Sequence, residues 1–424
     1  MASWCTTEIT VLLLLAVSTR ADEPTCEASI TPRAHVPGLR YVEFGDDGTA
    51  DAGKGRVARI AHNILELDEV ATLASAVENF EASEKHLDST DGLPAYEMYV
   101  RHKGKDTHTA AAVLPAIEAR IGAFVGDKYG CSECYVCSLL LRRYKADERQ
   151  QVKTHFDRMA YVTAVASLNP AEFDGGLFLQ RTARADSREF FATSGRDAAF
   201  HQYDLNHGVD VQNGTRLSAV FWITDTEMSC RKDLSPWYLA PAEAGSADAQ
   251  DALGELYQLG QHGYARDARK AVEWATKAAE QGNEAAQSRL GRLLLAGEGV
   301  PRDPQLGLSW VRKAAEQGYS PAEYTMGVAC QYGDLDGGLE EAARWFRLAA
   351  EAGIAAAQYE MGVALVNGDG VAMDQRKGVD WLQKAAIQGK AEAIADLETL
   401  ARAGIIILPG IEPDEPQPDE SPEE

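Results

Sequence analysis

The segment Lys277-Ala278-Ala279-Glu280-Gln281-Gly282 returns letter for letter as Lys313–Gly318. It returns again as Leu348-Ala349-Ala350-Glu351-Ala352-Gly353 and as Lys384-Ala385-Ala386-Ile387-Gln388-Gly389. Trp274, Trp310, Trp345 and Trp381 travel with it at intervals of 36, 35 and 36 residues. Gly254, Gly291, Gly327 and Gly362 mark the first helix of each unit. Two apolar-periodic stretches and a Gly-rich turn, such as Ala296-Gly297-Glu298-Gly299-Val300, make one unit. A lone helix pair cannot bury its own apolar face, so the units must stack into an α-solenoid of helix pairs. Ala and Gly at the recurring positions allow close helix approach, and the Trp fills the gap between neighbours.

This pattern resembles Sel-one-like repeats, relatives of the tetratricopeptide repeat, over Ala247–Gly389, with Lys390–Ala403 as a capping helix. The solenoid is assigned to residues 247–404. Its expected role is to dock a protein or peptide substrate or partner; the alternative is a passive spacer.

Residues ahead of the repeats follow another period. Pro24–Gly55 contains Gly, Asp and Pro and reads as a loop or weak strand, giving a loop-rich segment over 22–56. Ile64–Val70 leads into an amphipathic helix ending near Phe80, with Asp68 as its N-cap, and Ala111–Val125 is helical. Strand-like runs are Ala95–Val100, Leu139–Tyr144, Tyr161–Leu168, Gly176–Leu179, Ala198–Phe200 and Leu217–Ile223. Short strands separated by turn signals imply a jelly roll. The expected fold is therefore multidomain: a double-stranded β-helix (jelly roll) with flanking helices over 57–238, then the solenoid.

The chemistry-bearing residues fall inside the expected barrel. His155-Phe156-Asp157 stands just before a strand, and in an extended chain residues i and i+2 face the same way. His207-Gly208-Val209 follows fifty residues on. Two His and one carboxylate make the facial triad of non-haem Fe(II) oxygenases, leaving three metal positions open. Arg216 and Ser218 come nine and eleven residues after His207. A guanidinium there can take a carboxylate bidentately, with Ser218 and Tyr144 as further hydrogen-bond donors. His201 competes for the distal ligand position but lacks the following Gly-Val; it is left as a residue behind the ligands or on the surface. His35, His62, His86, His102, His108 and His262 show no ligand spacing and read as solvated or packed.

In order, His155-Phe156-Asp157, Phe173-Asp174-Gly175-Gly176, His207-Gly208-Val209, Gly214-Thr215-Arg216 and Phe221-Trp222-Ile223 resemble the prolyl 4-hydroxylase/lysyl hydroxylase branch of the 2-oxoglutarate dioxygenases, over about Val57–Thr224. The resemblance implies Fe(II) on His155, Asp157 and His207, with 2-oxoglutarate anchored by Arg216, Ser218 and Tyr144. It implies O₂ as cosubstrate, succinate and CO₂ as products, and ascorbate to rescue oxidised iron. Peptidyl-proline 4-hydroxylation is the first expectation. Arg216 stands where collagen-type prolyl enzymes carry Lys, so lysyl or small-molecule hydroxylation stays open, as does an adaptor with a vestigial barrel.

The net charge of −24 argues against a nucleic-acid-binding surface. An apolar run, Ile9–Val17, ends before Ala21 and is too short to span a bilayer. It reads as a signal peptide over 1–21, with an uncleaved anchor as the alternative, and no transmembrane segment is expected in the mature chain. That places the protein in the secretory pathway, in the endoplasmic reticulum lumen or outside the cell. Cys26, Cys131, Cys134, Cys137 and Cys230 then suit disulfides, with zinc as the alternative for the Cys131–Cys137 cluster, while Cys330 reads as a buried thiol. Asn213-Gly214-Thr215 is a glycosylation sequon or simply a tight hairpin turn. Residues 405–424 form an acidic, Pro-rich tail expected to be disordered.

Overall fold

The structure is a computed structural model that describes residues 39–53, 56–78, 86–87, 94–145, 150–181, 187–333, 335 and 337–402. The expected signal peptide, Cys26, His35 and the acidic tail lie outside the described residues. Two antiparallel sheets form the N-terminal part. The larger is built from β1 (Thr49–Gly53), β2 (Arg56–Ala61), β3 (His86–Leu87), β4 (Pro94–His102), β5 (Lys105–Asp106), β6 (Tyr135–Tyr144), β8 (Val162–Ser167), β11 (Ala198–Gln202) and β13 (Arg216–Thr224). Its order is β1-β2-β11-β8-β13-β6-β4-β3, with β5 on β4. The smaller sheet holds β7 (Gln151–His155), β9 (Phe173–Gln180), β10 (Arg188–Phe190) and β12 (His207–Gly214), in the order β10-β9-β12-β7. From β6 to β9 successive strands alternate between the sheets, and β10 to β13 alternate back.

One face of the larger sheet is covered by α1 (Leu67–Glu78) and α2 (Leu114–Tyr129). In α2, Leu114, Ile117, Ile121 and Val125 recur at helical spacing and bury together with Leu139, Leu141, Phe200 and Phe221. Each such side chain contributes about 1.5–3 kcal/mol. By length and composition Thr109–Tyr129 is apolar enough to cross a membrane; here one face of it, Leu114, Ile117, Ile121 and Val125, is buried on the sheet. The expected start at Ala111 moves to Leu114, because Thr109–Val113 forms a 3-10 turn whose Ala110 N–H donates to His108 Nδ1 at 3.1 Å. In α1 the expected cap Asp68 lies inside the helix; Glu69 is the acceptor for the Glu66 N–H at 2.8 Å. The segment expected to be loop-rich over 22–56 contains β1 and the first residue of β2, and Arg40 and Val42 exchange backbone hydrogen bonds with Phe190.

Cysteines pair as Cys131–Cys134 and Cys137–Cys230, which removes the zinc alternative for that cluster. Cys330 is a free, buried thiol.

After α3 (Glu227–Lys232) and α4 (Leu239–Glu243) the chain becomes helical throughout. The pairs are α5 (Ala247–Leu259) with α6 (Ala268–Glu280), α7 (Glu284–Ala296) with α8 (Pro304–Glu316), α9 (Ser320–Gln331) with α10 (Gly338–Glu351), and α11 (Ala355–Asn367) with α12 (Gln375–Ile387). α13 (Ala391–Arg402) covers the last pair. Asp267, Asp303 and Asp374 cap α6, α8 and α12 by accepting backbone N–H groups. Each apolar cluster straddles two units: Ala278, Ala279 and Leu290, for example, pack with Trp310. A ladder of amides joins them, since Gln281, Gln317 and Gln388 donate to Gln250, Gln287 and Gln358 at 2.7, 2.8 and 2.6 Å. A Cβ on Gly291 would stand 2.7 Å from the Gly307 carbonyl oxygen, so only glycine permits that helix approach.

The link between the sheet domain and the repeats is not a free tether. Trp237 and Tyr238 bury in one core with Ala249, Leu253 and Leu256 of α5, against Tyr161 and Tyr203 of the sheet domain. Gln250 donates to the Ala242 carbonyl of α4 as Gln287 does to Ala279 of α6, so α4 stands where the second helix of a preceding repeat would end.

Candidate metal centre and buried arginine

His155 closes β7 and His207 opens β12, and the two are direct partners in the antiparallel ladder. Asp157 does not share the strand with His155 as expected from alternation. The chain has left the ladder there, in a turn where the Arg158 N–H donates to the Phe156 carbonyl at 2.9 Å and Ala160 to that of Asp157 at 3.1 Å. That turn swings the carboxylate back between the imidazoles. Asp157 Oδ1 lies 3.5 Å from His155 Nε2, and Oδ2 lies 3.4 Å from His207 Nε2. One ligand atom from each of the three falls within 4.8 Å of the others. Bonds of about 2.1 Å place neighbouring ligand atoms of an octahedral ion about 3 Å apart, so a small closure would complete three corners.

The donor chemistry fits a divalent cation. His207 Nδ1 lies 3.0 Å from the Leu205 carbonyl oxygen. A carbonyl only accepts, so Nδ1 carries a hydrogen and Nε2 is the ring atom turned toward Asp157. Asp157 is 4% exposed, while 22% of the His155 side chain reaches solvent, leaving one open side. Burial works to raise the Asp157 carboxyl pKa, but His207 and His155 prevail and hold it well below the usual carboxylate range.

His201 is neither a surface residue nor remote. It is 1% exposed, its ring centre lies 4.2 Å from that of His207 with the planes tilted by 50°, and its Nε2 is 3.9 Å from Asp157 Oδ2 without a hydrogen-bond partner. Its Nδ1 meets the Gln202 carbonyl oxygen at 3.0 Å. Burial first, then His207, lowers its pKa to about 3, so the ring is neutral. Of the two expectations for it, a residue behind the ligands or one on the surface, its burial leaves the first.

On β13, Leu217, Ala219, Phe221 and Ile223 enter the core under the helices. Alternation turns Arg216, Ser218, Val220 and Trp222 toward the smaller sheet. Arg216 pairs with Tyr144 across the ladder and is 1% exposed. Its guanidinium lies 5.4 Å from the Tyr144 ring centre and 5.7 Å from that of Phe173. Nη2 makes only a long 3.5 Å contact to Ser167 Oγ, and Nε has no partner. Ser218 Oγ is likewise buried and unpartnered. Among the described residues no carboxylate pairs with Arg216. Burial lowers its pKa, opposed by Tyr144. A buried guanidinium without an anion is unfavourable, so the arrangement suits an incoming carboxylate.

Asn213 and Gly214 do not make a hairpin: β12 and β13 belong to different sheets, and the turn carries the chain between them. The exposed Asn213 amide reaches Asp174 at 3.4 Å. His62 pairs with Asp197 at 3.3 Å, His262 with Asp233 at 3.0 Å, and His102 stacks on Tyr99. His86 lies in β3.

Comparison with known families matches the Sel1 repeat at 247–283, 284–319, 320–354 and 355–390. The C-terminal part of this chain is a Sel1-repeat solenoid. No curated protein matches the chain. Among solved structures, one similar protein is a protective antigen of uropathogenic Escherichia coli strains with an SLR fold, at 37% identity and a TM-score of 0.38, covering 40% of this chain and 36% of that one. The chain therefore spans about a third of that antigen's length. A Sel1 repeat protein from Oxalobacter formigenes is 32% identical, with a TM-score of 0.38, over 42% of this chain and 71% of that one. An oxidoreductase of the 2OG-Fe(II) oxygenase family from Burkholderia pseudomallei is 16% identical, with a TM-score of 0.35, over 45% of this chain and 97% of that one.

Proposed function

We propose that the sheet domain is an Fe(II)- and 2-oxoglutarate-dependent dioxygenase that hydroxylates a peptidyl residue, proline in the first instance, and that the Sel1 repeats recruit its protein substrate. The observation that carries this reading is the pairing of a His155–Asp157–His207 cluster with a buried Arg216 that meets no carboxylate among the described residues, between the same two sheets. The strand order supports a double-stranded β-helix, since β6 to β9 alternate between the sheets and β10 to β13 alternate back, as in a jelly roll.

Bound iron would supply coordination of the 2-oxo acid and activation of O₂. The chain's own share is geometric and electrostatic. His155, Asp157 and His207 would hold the ion. Arg216 receives the distal carboxylate of 2-oxoglutarate, and Ser218 and Tyr144 add hydrogen bonds to it. Phe173, Leu177, Leu179 and Val209 wall the space and exclude water. Ascorbate would restore iron oxidised in uncoupled cycles. Two disulfides suit an oxidising compartment, in keeping with the secretory pathway.

The test is turnover. Purified chain supplied with Fe(II), 2-oxoglutarate and O₂ should release succinate and CO₂ and add one oxygen mass to a peptide substrate, with the residue located by mass spectrometry. Iron-loaded chain that leaves 2-oxoglutarate intact would overturn the proposal. Oxygen on lysine or on a small molecule would move the substrate while keeping the chemistry.

A further inference from the structure

The turn that carries Asp157 is held from outside the sheet domain. Arg158, the next residue, reaches into the first Sel1 repeat, where Nη2 is 2.8 Å from Asp251 Oδ2 and Nε is 2.9 Å from Glu255 Oε2. Arg289 of the second repeat approaches the same two carboxylates, with Nε 3.1 Å from Asp251 Oδ1 and Nη2 3.2 Å from Glu255 Oε2. Tyr238, fully buried, donates its hydroxyl to the Arg158 carbonyl at 2.6 Å. On the other side of Asp157, the Phe156 ring lies 5.4 Å from the Arg158 guanidinium and 6.0 Å from that of Arg56. Arg56 in turn pairs with Asp248 of the first repeat. Both chain neighbours of Asp157 are thus engaged with α5.

These charges break the repeat pattern. In the register fixed by Gly254, Gly291, Gly327 and Gly362, the position of Asp251 holds Ser288, Tyr324 and Tyr359 in the other units. That of Glu255 holds Arg292, Val328 and Val363, and that of Arg289 holds Ala252, Thr325 and Glu360. Stacking does not require them, because the third and fourth repeats stack without them. Burying charges is unfavourable unless each is met by a partner, so their grouping against one turn calls for a reason other than stacking.

We propose, on the metal-binding reading above, that Arg158, Asp251, Glu255 and Arg289 are positioning residues of the metal centre, fixing the turn so that the Asp157 carboxylate stands between His155 and His207. The first two repeats are then part of the site, whatever else the solenoid binds. Outer residues that orient metal ligands typically change metal affinity about 10–100-fold when lost.

The experiment compares full-length Asp251→Asn with Gln358→Ala, a buried change in the fourth repeat, by anaerobic Co(II) titration, thermal melting of the metal-free protein, and amide exchange. Asp251→Asn should bind Co(II) about 10-fold or more weakly and speed exchange at the Arg158 and Ala160 amides. Gln358→Ala should lower the melting temperature yet bind Co(II) as the wild type does. Should Asp251→Asn fail to fold, Glu255→Gln, whose side chain is 29% exposed, carries the same comparison. Unchanged Co(II) affinity alongside a lowered melting temperature would reduce the network to ordinary stability and sink the inference alone. A wild type that binds no Co(II) would sink the metal reading and this inference together.

Discussion

In the fourth repeat, α11 buries Gln358, whose amide donates to the Ala350 carbonyl at 3.3 Å, and the next residue is the half-buried Tyr359. In the first, α5 buries Gln250 in the same way, donating to Ala242 at 2.9 Å, but the next residue is Asp251, 2% exposed and held by two arginines. Positions that agree between the two repeats serve stacking. Positions that differ serve whatever lies beyond the stack, which for the first repeat is the turn bearing Asp157. Within one solenoid, departures from the repeat are therefore more informative about function than the repeat itself.

The largest effect that would sharpen this comparison is at the turn. Asp157→Ala should abolish metal binding in calorimetry and 2-oxoglutarate turnover, while leaving the melting of the repeats in place. Wild-type turnover by that variant would remove Asp157 from the site. Next comes the other end of the chamber. Arg216→Ala should raise the KM for 2-oxoglutarate roughly 30-fold or more, the loss expected for a buried charge-assisted pair. Arg216→Lys should recover part of it, because an ammonium cannot make the bidentate fork. A KM equal to wild type in the Ala variant would place the anchor elsewhere.

A smaller effect distinguishes the first repeat by pH. Burial works to raise the Asp251 pKa, but Arg289 and Arg158 hold it at about 2. A folded pKa below the unfolded value of about 3.9 contributes stability that is full above that value and is lost as pH falls toward 2, about 2 kcal/mol in all. Asp251→Asn should flatten that part of the acid limb of stability in denaturant titrations, and Gln358→Ala should not; identical limbs for all three proteins would contradict the assignment. The smallest effect lies within the stack. Gly291→Ala should destabilise by about 1 kcal/mol or more, because its Cβ would stand 2.7 Å from the Gly307 oxygen. At Gly254 the nearest atom would be 3.4 Å away, and an added methyl there should be neutral or slightly stabilising through helix propensity. Melting temperatures that shift equally in the two variants would break the distinction.

The repeats were legible because tryptophan and glycine recur at a fixed spacing that only stacked helix pairs satisfy. β4, β6, β8, β11 and β13 of the larger sheet were legible because they are apolar runs, as was β9 of the smaller one, whereas β1 fell in a segment read as loop-rich. The rest of the smaller sheet was not: β7 reads Gln-Val-Lys-Thr-His, and β12 carries Gly208, Asp210 and Asn213, residues of low strand propensity held by pairing with β9. Those are the strands that present His155 and His207, so the ligands could be named from their spacing while their supports could not. The turn at Asp157 was mistaken for strand because alternation alone gives the same facing. His201 was underweighted because nothing in the letters says that β11 brings it beside His207. The Arg158–Asp251 pair spans 93 residues and leaves no local pattern. Its one sequence trace was the acidic residue at a position where the other repeats carry Ser288, Tyr324 and Tyr359. For the same reason the boundary expected near Tyr238 looked like a linker, whereas it runs through a shared core.

The central claim is that one chamber holds a metal at His155, Asp157 and His207 and a dicarboxylate against Arg216. Anaerobic calorimetry of the full chain tests it directly, titrating Fe(II) first and 2-oxoglutarate second. The account predicts one Fe(II) per chain, 2-oxoglutarate binding that is strong only after the metal is in place, and loss of the second event alone in Arg216→Ala. Binding of 2-oxoglutarate that ignores the metal, or no Fe(II) uptake at all, would contradict it.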